Sequence, residues 1–471
     1  MANNRSPNPH VVLLPSPGMG HLTPLAELAK RLVLYHNLSA TIITFSDHTS
    51  GGNQQAFISS LPAGISTTSL PPVPLDDLPP TAHIVTRISV MLARSVPDVR
   101  RTLQAIQKTT GKVAAYIVDL FGGDTLSVAK ELGIPQFLFC TSNFFYLSFF
   151  LHLSTLQESP ETVEPLQLPG CIPLQAKDFS RSATDRKSDE FVWMVHHSRC
   201  HNQVDGIMVN SFEALEDETA RFFREKGEGK PPVLPVGPLI TYAGDSVGNN
   251  LEICLEWLDQ QPDCSVLFIS FGSGGSLSQK QTWELAVGLE MSGQRFLWVV
   301  RKPTDVSGGG AYFNPQSTSD PLEFLPEGFL ERTKEKGMVV PCWAPQAKVL
   351  AHEAVGGFLS HCGWNSTLES IVYGVPMIAW PLYSEQPMNA EMLVEKVKVA
   401  LRPLQTRNDG LVRKEEIAEV VQDLMEGEGG KEVRRRVREI KEAAVKAVSA
   451  GGSSYAGLAK MVNLWKSLGT Y

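Results

Sequence analysis

The sequence lacks several features, and each absence removes a class of function. It has no CxxC pair: the seven cysteines (Cys140, Cys171, Cys200, Cys254, Cys264, Cys342 and Cys362) are odd in number and widely scattered. This argues against a zinc ribbon and a disulfide framework, and for a reducing, cytoplasmic environment. It has no long apolar run. The most apolar stretch, residues 137–153, is broken by Thr141, Ser142, Asn143 and His152, so it reads as a buried strand and helix instead of a span of about 20 residues. The N-terminus is polar and interrupted by proline, and the apolar run Val11–Leu14 is too short for the core of a secretion signal. Positive charge is not in excess either. With 42 Lys and Arg against 50 Asp and Glu, the net charge of -8 places nucleic acid and anionic membranes last among partners.

What remains is an ordinary globular composition, 42% hydrophobic and 20% charged over 471 residues, enough for two or three domains with large cores. Short β-branched runs alternate with amphipathic stretches, the pattern of βα units on parallel sheets. It occurs in two blocks. The first holds strands at HVVLLP (from His10), ATIITF, AAYIVD (ending in Asp119), QFLFC and GIMVNS, with Leu22, Leu25, Ala29 and Leu32 at helical spacing after the first. The second starts over with CSVLFISFGS (from Cys264), the helix QTWELAVGLEMS, and strands at FLWVV, MVVPC, GGFLS and PMIAW. We therefore expect an α/β protein with two Rossmann-like domains, over residues 1–240 and 253–450, joined by a linker at 241–252 where Pro, Gly and Asn concentrate. The Pro-rich segment from Leu70 and the Gly/Ser-rich one from Ser307 read as surface loops. The basic segment KEVRRRVREIKEAAVKAV reads as a solvated amphipathic helix.

Ligands gather above the carboxyl ends of parallel strands. The first strand runs into SPGMGH, where Gly18, Gly20, Thr23 and Pro24 fail to complete a GxGxxG dinucleotide fingerprint. His21 stands at that helix start, and an imidazole with an ordinary pKa of about 6.5 suits general-base work; a capping or packing role is the plain alternative. Asp119 ends a strand whose carboxyl end faces the same crevice, so it can orient His21 and stabilise its protonated form, or act as a helix N-cap. In the second block, GGFLSHCGWNSTLESIVYG places His361, Asn365 and Ser366 at the start of a helix, an arrangement suited to a diphosphate. The turn Gly272-Ser273-Gly274-Gly275 can approach the same phosphates. Glu369 is placed to accept from a ribose, and Trp343 offers a flat face for a base. His196, His197, Cys200 and His201 lack a strong zinc spacing and read as part of a solvated helix.

The segment Trp343–Gln386, WAPQAKVLAHEAVGGFLSHCGWNSTLESIVYGVPMIAWPLYSEQ, resembles along its whole length the signature box of plant UDP-dependent glycosyltransferases. The resemblance extends to the SPGMGH turn, the strand ending in Asp119 and the LPVGPL segment, and is greatest to the phenol, hydroquinone and indoxyl glucosyltransferases. It implies a GT-B fold: two Rossmann-like domains facing a cleft, the acceptor on the N-terminal one, UDP-sugar on the C-terminal one, and a final helix of about 451–471 packing back onto the first. It also implies that Trp343 stacks on uracil, that the Ala344 backbone pairs with its edge, and that Gln346 and Glu369 hold the ribose. Ser273, His361, Asn365 and Ser366 would contact the diphosphate, and Trp364, Glu385 and Gln386 the sugar. Many relatives have Asp where this chain has Glu385, while the terminal Gln is the pattern of glucose donors.

On this resemblance His21 deprotonates an acceptor hydroxyl, Asp119 supports His21, and an α-linked donor yields a β-glucoside with no metal and no cofactor beyond the co-substrate UDP-glucose. Met19, Phe121, Thr141, Phe144 and Phe145 are candidates for the acceptor wall, suited to a flat aromatic alcohol. The chain is expected to be a cytoplasmic monomer. A nicotinamide-dependent oxidoreductase would share the Rossmann halves but requires the missing fingerprint, and a non-catalytic nucleotide-sugar binder has no use for both His21 and Asp119.

Overall fold

The alternation of apolar runs with helices builds two parallel sheets in the computed structural model, which describes residues 8–46, 51–79, 81–158, 165–179, 185–225, 230–242, 250–304, 320–404 and 410–468. The loop expected from Ser307 and most of the expected linker lie outside these residues. The chain divides into two compact units. Met1–Pro173, Arg181–Leu239 and Lys446–Tyr471 form the first; Leu174–Ser180 and Ile240–Val445 form the second. The excursion at Leu174–Ser180 carries no period that marks it in the sequence.

The first unit holds seven strands: β1 (His10–Leu14), β2 (Ser39–Phe45), β3 (Ile65–Leu70), β4 (Val113–Val118), β5 (Gln136–Cys140), β6 (Gly206–Val209) and β7 (Val233–Pro235). Their order is β3-β2-β1-β4-β5-β6-β7, and every pairing is parallel. β1 and β4 are wholly buried, as expected of central strands covered on both faces. The edge strand β3, ISTTSL, escapes an apolar-run reading because it is held by hydroxyl pairs. Thr41 Oγ1 lies 2.8 Å from Ser66 Oγ, and Thr44 Oγ1 2.8 Å from Ser69 Oγ.

The second unit holds β8 (Val266–Ser270), β9 (Arg295–Val300), β10 (Gly337–Pro341), β11 (Val355–Ser360), β12 (Met377–Ala379) and β13 (Ala400–Leu401). Their order is β10-β9-β8-β11-β12-β13, again with parallel pairings only. In each sheet the order reverses beside the first strand, between β1 and β4 and between β8 and β11. Register fixes what meets there. Leu14 pairs with Val118, so the turn after β1 emerges beside Asp119; Ser360 pairs with Ser270, so the turns after β8 and β11 emerge side by side.

The helix Asp189–His201 is not solvated as its composition suggested: His197 and His201 are fully buried. Its inward face packs on the long helix Ile84–Thr110, where Ser89 Oγ lies 2.9 Å from His197 Nε2. A polar partner makes a buried histidine tolerable, and sequence periodicity does not reveal that partner. Among the described residues no helix is long and apolar enough to cross a membrane.

The helix Ser453–Leu468 belongs to the first unit and places Leu458, Met461, Val462 and Trp465 in the core that also holds β1 and the helix Met19–His36. Trp465 is fully buried, edge-on to Phe137 of β5 at 5.6 Å. Trp465→Ala should therefore cost about 3–5 kcal/mol, read as a lower urea midpoint with an unchanged denaturant slope; a loss below about 1 kcal/mol would show that the C-terminal helix is not part of this core.

Candidate active site

The turn after β1 is built around Asp119. The chain leaves β1 through Pro15, Ser16 and Pro17, turns at Gly18 (φ 111°) and enters the helix Met19–His36. The Gly18 carbonyl accepts from the amides of His21 and Leu22 at 3.1 and 3.0 Å, which sets His21 in the first helical turn. Its Nδ1 lies 2.9 Å from Asp119 Oδ2. Asp119 also accepts from the Ser16 amide at 2.7 Å, the Ser16 hydroxyl at 2.5 Å and the Phe121 amide at 3.2 Å. Burial pushes the Asp119 carboxyl up, but the charge and hydrogen bond of His21 and the two bonds from Ser16 outweigh it and hold the group below its ordinary value. A fully buried anion thus persists at neutral pH. With Nδ1 of His21 facing Asp119, Nε2 is the ring nitrogen left on the other side of the imidazole.

The expected acceptor-wall residues divide. Phe121 packs edge-on to the His21 ring, centroids 5.6 Å apart. Met19 is half-buried on the core of the first unit. Thr141, just past β5, is buried. Phe144 and Phe145 are buried as well, at the start of the helix Phe144–Glu158. Their amides donate to Glu216, and the Phe144 ring packs on Phe223.

In the second unit, His361 directly follows β11 and its ring is enclosed between two glycine backbones. A Cβ on Gly272, whose φ is +74°, would stand 2.5 Å from His361 Nε2, and one on Gly363 would stand 2.3 Å from it. Burial pushes the imidazole down to about 4, so it is neutral at pH 7, and its Nδ1 has no hydrogen-bond partner among the described residues. An orphaned buried nitrogen at the start of the helix Trp364–Tyr373 marks a place for a polar ligand. Ser273 is exposed on the facing turn.

The Gln346 amide nitrogen donates to Ser366 Oγ at 2.8 Å and Glu369 Oε2 at 2.6 Å, so these three expected residues meet. Glu369 is half-buried, and desolvation pushes its carboxyl up to about 7, the bond from Gln346 offsetting part. Trp343 is half-buried with its carbonyl held by Asn250 at 2.9 Å, and Ala344 beside it is buried. Trp364 is only 3% exposed, while Asn365 is half-buried. Glu385 occupies the position just before the helix Gln386–Glu391 without a side-chain capping bond, and the buried Gln386 oxygen accepts from the amides of Leu382 and Tyr383 at 2.9 and 3.0 Å.

Three supporting residues escaped the sequence reading. Ser16 clamps Asp119, Arg301 donates to the Gly272 carbonyl at 3.0 Å, and Asn389 donates to the Cys362 carbonyl at 2.9 Å. The loops after β10, β11 and β12 each contain a non-glycine residue with positive φ: Cys342 (65°), Cys362 (63°) and Ser384 (58°). Such conformations cost energy and cluster at functional sites.

The signature of the family described as UDP-glucoronosyl and UDP-glucosyl transferase matches residues 237–441. The hydroquinone glucosyltransferase of Rauvolfia serpentina is 50% identical over 464 residues, covering 98% of both chains. A UDP-glucosyltransferase from Polygonum tinctorium capable of glucosylating indoxyl, solved with 3,4-dichloroaniline, superposes with a TM-score of 0.89 at 48% identity, covering 98% of this chain and 100% of that one. UGT2 of Phytolacca americana, solved with UDP-2-fluoro-glucose and pterostilbene, does so with a TM-score of 0.87 at 44% identity, covering 97% and 100%.

The titration of Glu369 provides a test within the second unit. Its carboxyl ionises at about 7 when folded, against an ordinary 4.5, so between these values the folded chain holds a proton that the unfolded chain has lost, and stability falls as pH rises. Relative to Glu369→Gln, which cannot titrate, the wild-type unfolding free energy should decline from about pH 4.5 to 7 in urea titrations. A difference independent of pH would contradict this environment.

The two parallel α/β units, their paired turn clusters and these likenesses make the chain a member of the UDP-glucoronosyl and UDP-glucosyl transferase family: a plant-type glucosyltransferase of GT-B fold that uses a UDP-sugar donor.

Proposed function

We propose that this enzyme transfers glucose from UDP-glucose to the hydroxyl of a small aromatic alcohol of the phenol, hydroquinone or indoxyl type, with inversion, giving a β-D-glucoside and UDP. The observation that carries the reading is the contact of 2.9 Å between His21 Nδ1 and the buried Asp119 carboxylate. His21 Nε2 takes the acceptor's proton while the acceptor oxygen attacks the anomeric carbon. The bond from that carbon to the β-phosphate oxygen breaks, its electron pair leaving with UDP, and attack from the opposite face converts an α-linked donor into a β-product. Asp119 keeps the ring oriented and balances the imidazolium.

We assign the donor roles that the resemblance implies, and the second unit's geometry supports them. Trp343 stacks on uracil, the Ala344 backbone pairs with its edge, and Gln346 and Glu369 hold the ribose; the amide bond from Gln346 to Glu369 prearranges them. His361, Asn365, Ser366 and Ser273 take the diphosphate. Neutral His361 can donate from its unpartnered Nδ1, and with the helix start it meets the charge growing on the leaving group. Trp364 borders the sugar from its buried position, and Glu385 and Gln386 bind its hydroxyls. This donor set needs no metal and no further cofactor. Phe121, in contact with the His21 ring, forms the acceptor wall with Met19 and Thr141, backed by Phe144 and Phe145. The names of the relatives, which include a hydroquinone glucosyltransferase and an enzyme capable of glucosylating indoxyl, support the acceptor class. We place the enzyme in the cytoplasm as a monomer, with residues 1–240 taking the acceptor, 241–252 as linker, 253–450 taking the donor and the helix of about 451–471 completing the first domain.

A transfer assay in EDTA with UDP-glucose and a panel of phenols, hydroquinone and indoxyl, read by mass spectrometry, should yield products heavier by one hexose. Activity that requires an added divalent ion would overturn the metal-independent mechanism, and transfer confined to non-aromatic acceptors would overturn the acceptor class. His21→Ala should keep UDP-glucose affinity while losing about 10²–10⁴-fold in kcat. Residual turnover within a few fold of wild type would remove His21 from the base role.

A further inference from the structure

A group of side chains in the first unit has no part in the transfer reaction. The short 3-10 turn Gly122–Thr125, just after Asp119, faces the helix Asp189–His201. Asp124 Oδ1 lies 2.7 Å from His196 Nε2, and Cys200 Sγ lies 3.9 Å from that same nitrogen. His197 is fully buried with its Nδ1 unpartnered among the described residues. A Cβ on Gly123 would stand 3.1 Å from that Nδ1 and 3.3 Å from Cys200 Sγ, so the orphan nitrogen and the thiol face one point of the backbone next to Asp124. Asp124 Oδ2 is also buried without a partner. A ligand atom from each of Asp124, His196 and His197 lies within 4.8 Å of the others.

We propose that Asp124, His196, His197 and Cys200 form a binding site for a divalent transition ion of the zinc class. A carboxylate, two imidazoles and a thiolate are the donor types that zinc takes. Tetrahedral zinc with bonds of about 2.0–2.3 Å keeps its ligand atoms roughly 3.3–3.6 Å apart; Asp124, His196 and His197 form the close group, and Cys200, outside it with its Sγ 3.9 Å from His196 Nε2, would complete the set by turning its side chain toward the ion. The far nitrogen of His197, Nε2, is already held by Ser89 Oγ at 2.9 Å, the outer contact that orients a ligating histidine. His201 is engaged elsewhere, its Nε2 lying 3.1 Å from the Leu120 carbonyl. Asp124, His196 and Cys200 border a surface pocket of about 820 Å³, which gives an ion a way in. The ion sits apart from the chemistry yet next to it, since His197 packs edge-on to Phe121 at 5.7 Å and Phe121 packs on His21. Ion binding would stiffen the aromatic wall beneath the proposed base.

Equilibrium dialysis of the full, EDTA-stripped chain against Zn²⁺ alone tests this. One ion per chain is expected, with a rise in melting temperature, and Co²⁺ in its place should give a thiolate-to-metal charge-transfer band. Cys200→Ser should abolish that band, and Cys200→Ser and His196→Ala should each weaken Zn²⁺ binding by about tenfold or more, with far-UV circular dichroism verifying that both variants fold. Cys200→Ser is nearly isosteric, so it remains informative if His196→Ala does not fold. Absence of stoichiometric Zn²⁺ binding, or binding undiminished in Cys200→Ser with the charge-transfer band intact, would overturn the assignment.

Discussion

A carboxylate with no exposure to solvent must be neutralised or held by donors, because an unpaired buried charge is among the costliest things a fold can contain. Asp119 meets this condition through Ser16, Phe121 and His21. Ser16 and His21 come from the turn after β1, and Asp119 from the end of β4, so the hydrogen bonds that stabilise the anion also lock the two strand ends together. The position of His21 and the direction of its basic nitrogen follow from this arrangement. Loss of the carboxylate would leave the Ser16 and Phe121 amides without their acceptor, so the same group serves stability and, in the proposed mechanism, chemistry.

The second sheet uses the same topological opportunity with different chemistry. Its order also reverses beside the first strand, and the turns after β8 and β11 emerge together there. Among the described residues no buried anion joins them. Instead a neutral imidazole is enclosed by two glycine backbones, and Arg301 and Asn389 hold the flanking carbonyls. One turn pair stores negative charge beside an imidazole; the other presents uncharged donors and a helix start where an anion can be received. Such a division suits the proposed reaction, in which the acceptor loses a proton and the donor releases a diphosphate.

Much of this was legible in the sequence because parallel strands buried on both faces read as continuous apolar runs. β1, β4, β5, β8, β9 and β11 fall where those runs stand. The polar edge strand β3 and the short β7 and β13 left no such trace. Residues placed just beyond strand ends, Asp119 and His361 directly after β4 and β11 and His21 in the helix start that follows β1, could be singled out because the crevice position itself is informative. Ser16 could not, since its partner lies 103 residues away and serine in a turn is unremarkable. The helix holding His196, His197, Cys200 and His201 shows the opposite failure. Its polar composition suggested solvent, whereas packing against the helix Ile84–Thr110 buries one face and supplies Ser89 as a partner.

The account rests on His21 being held by Asp119 with Nε2 left to act as base. The most direct measurement is the ring tautomer, by ¹⁵N NMR of the histidine-labelled protein with His21 assigned through His21→Gln. The predicted result is a neutral ring protonated at Nδ1, with a hydrogen-bonded Nδ1 signal that is lost in Asp119→Asn. A ring protonated at Nε2, or one whose signals are indifferent to Asp119, would contradict it.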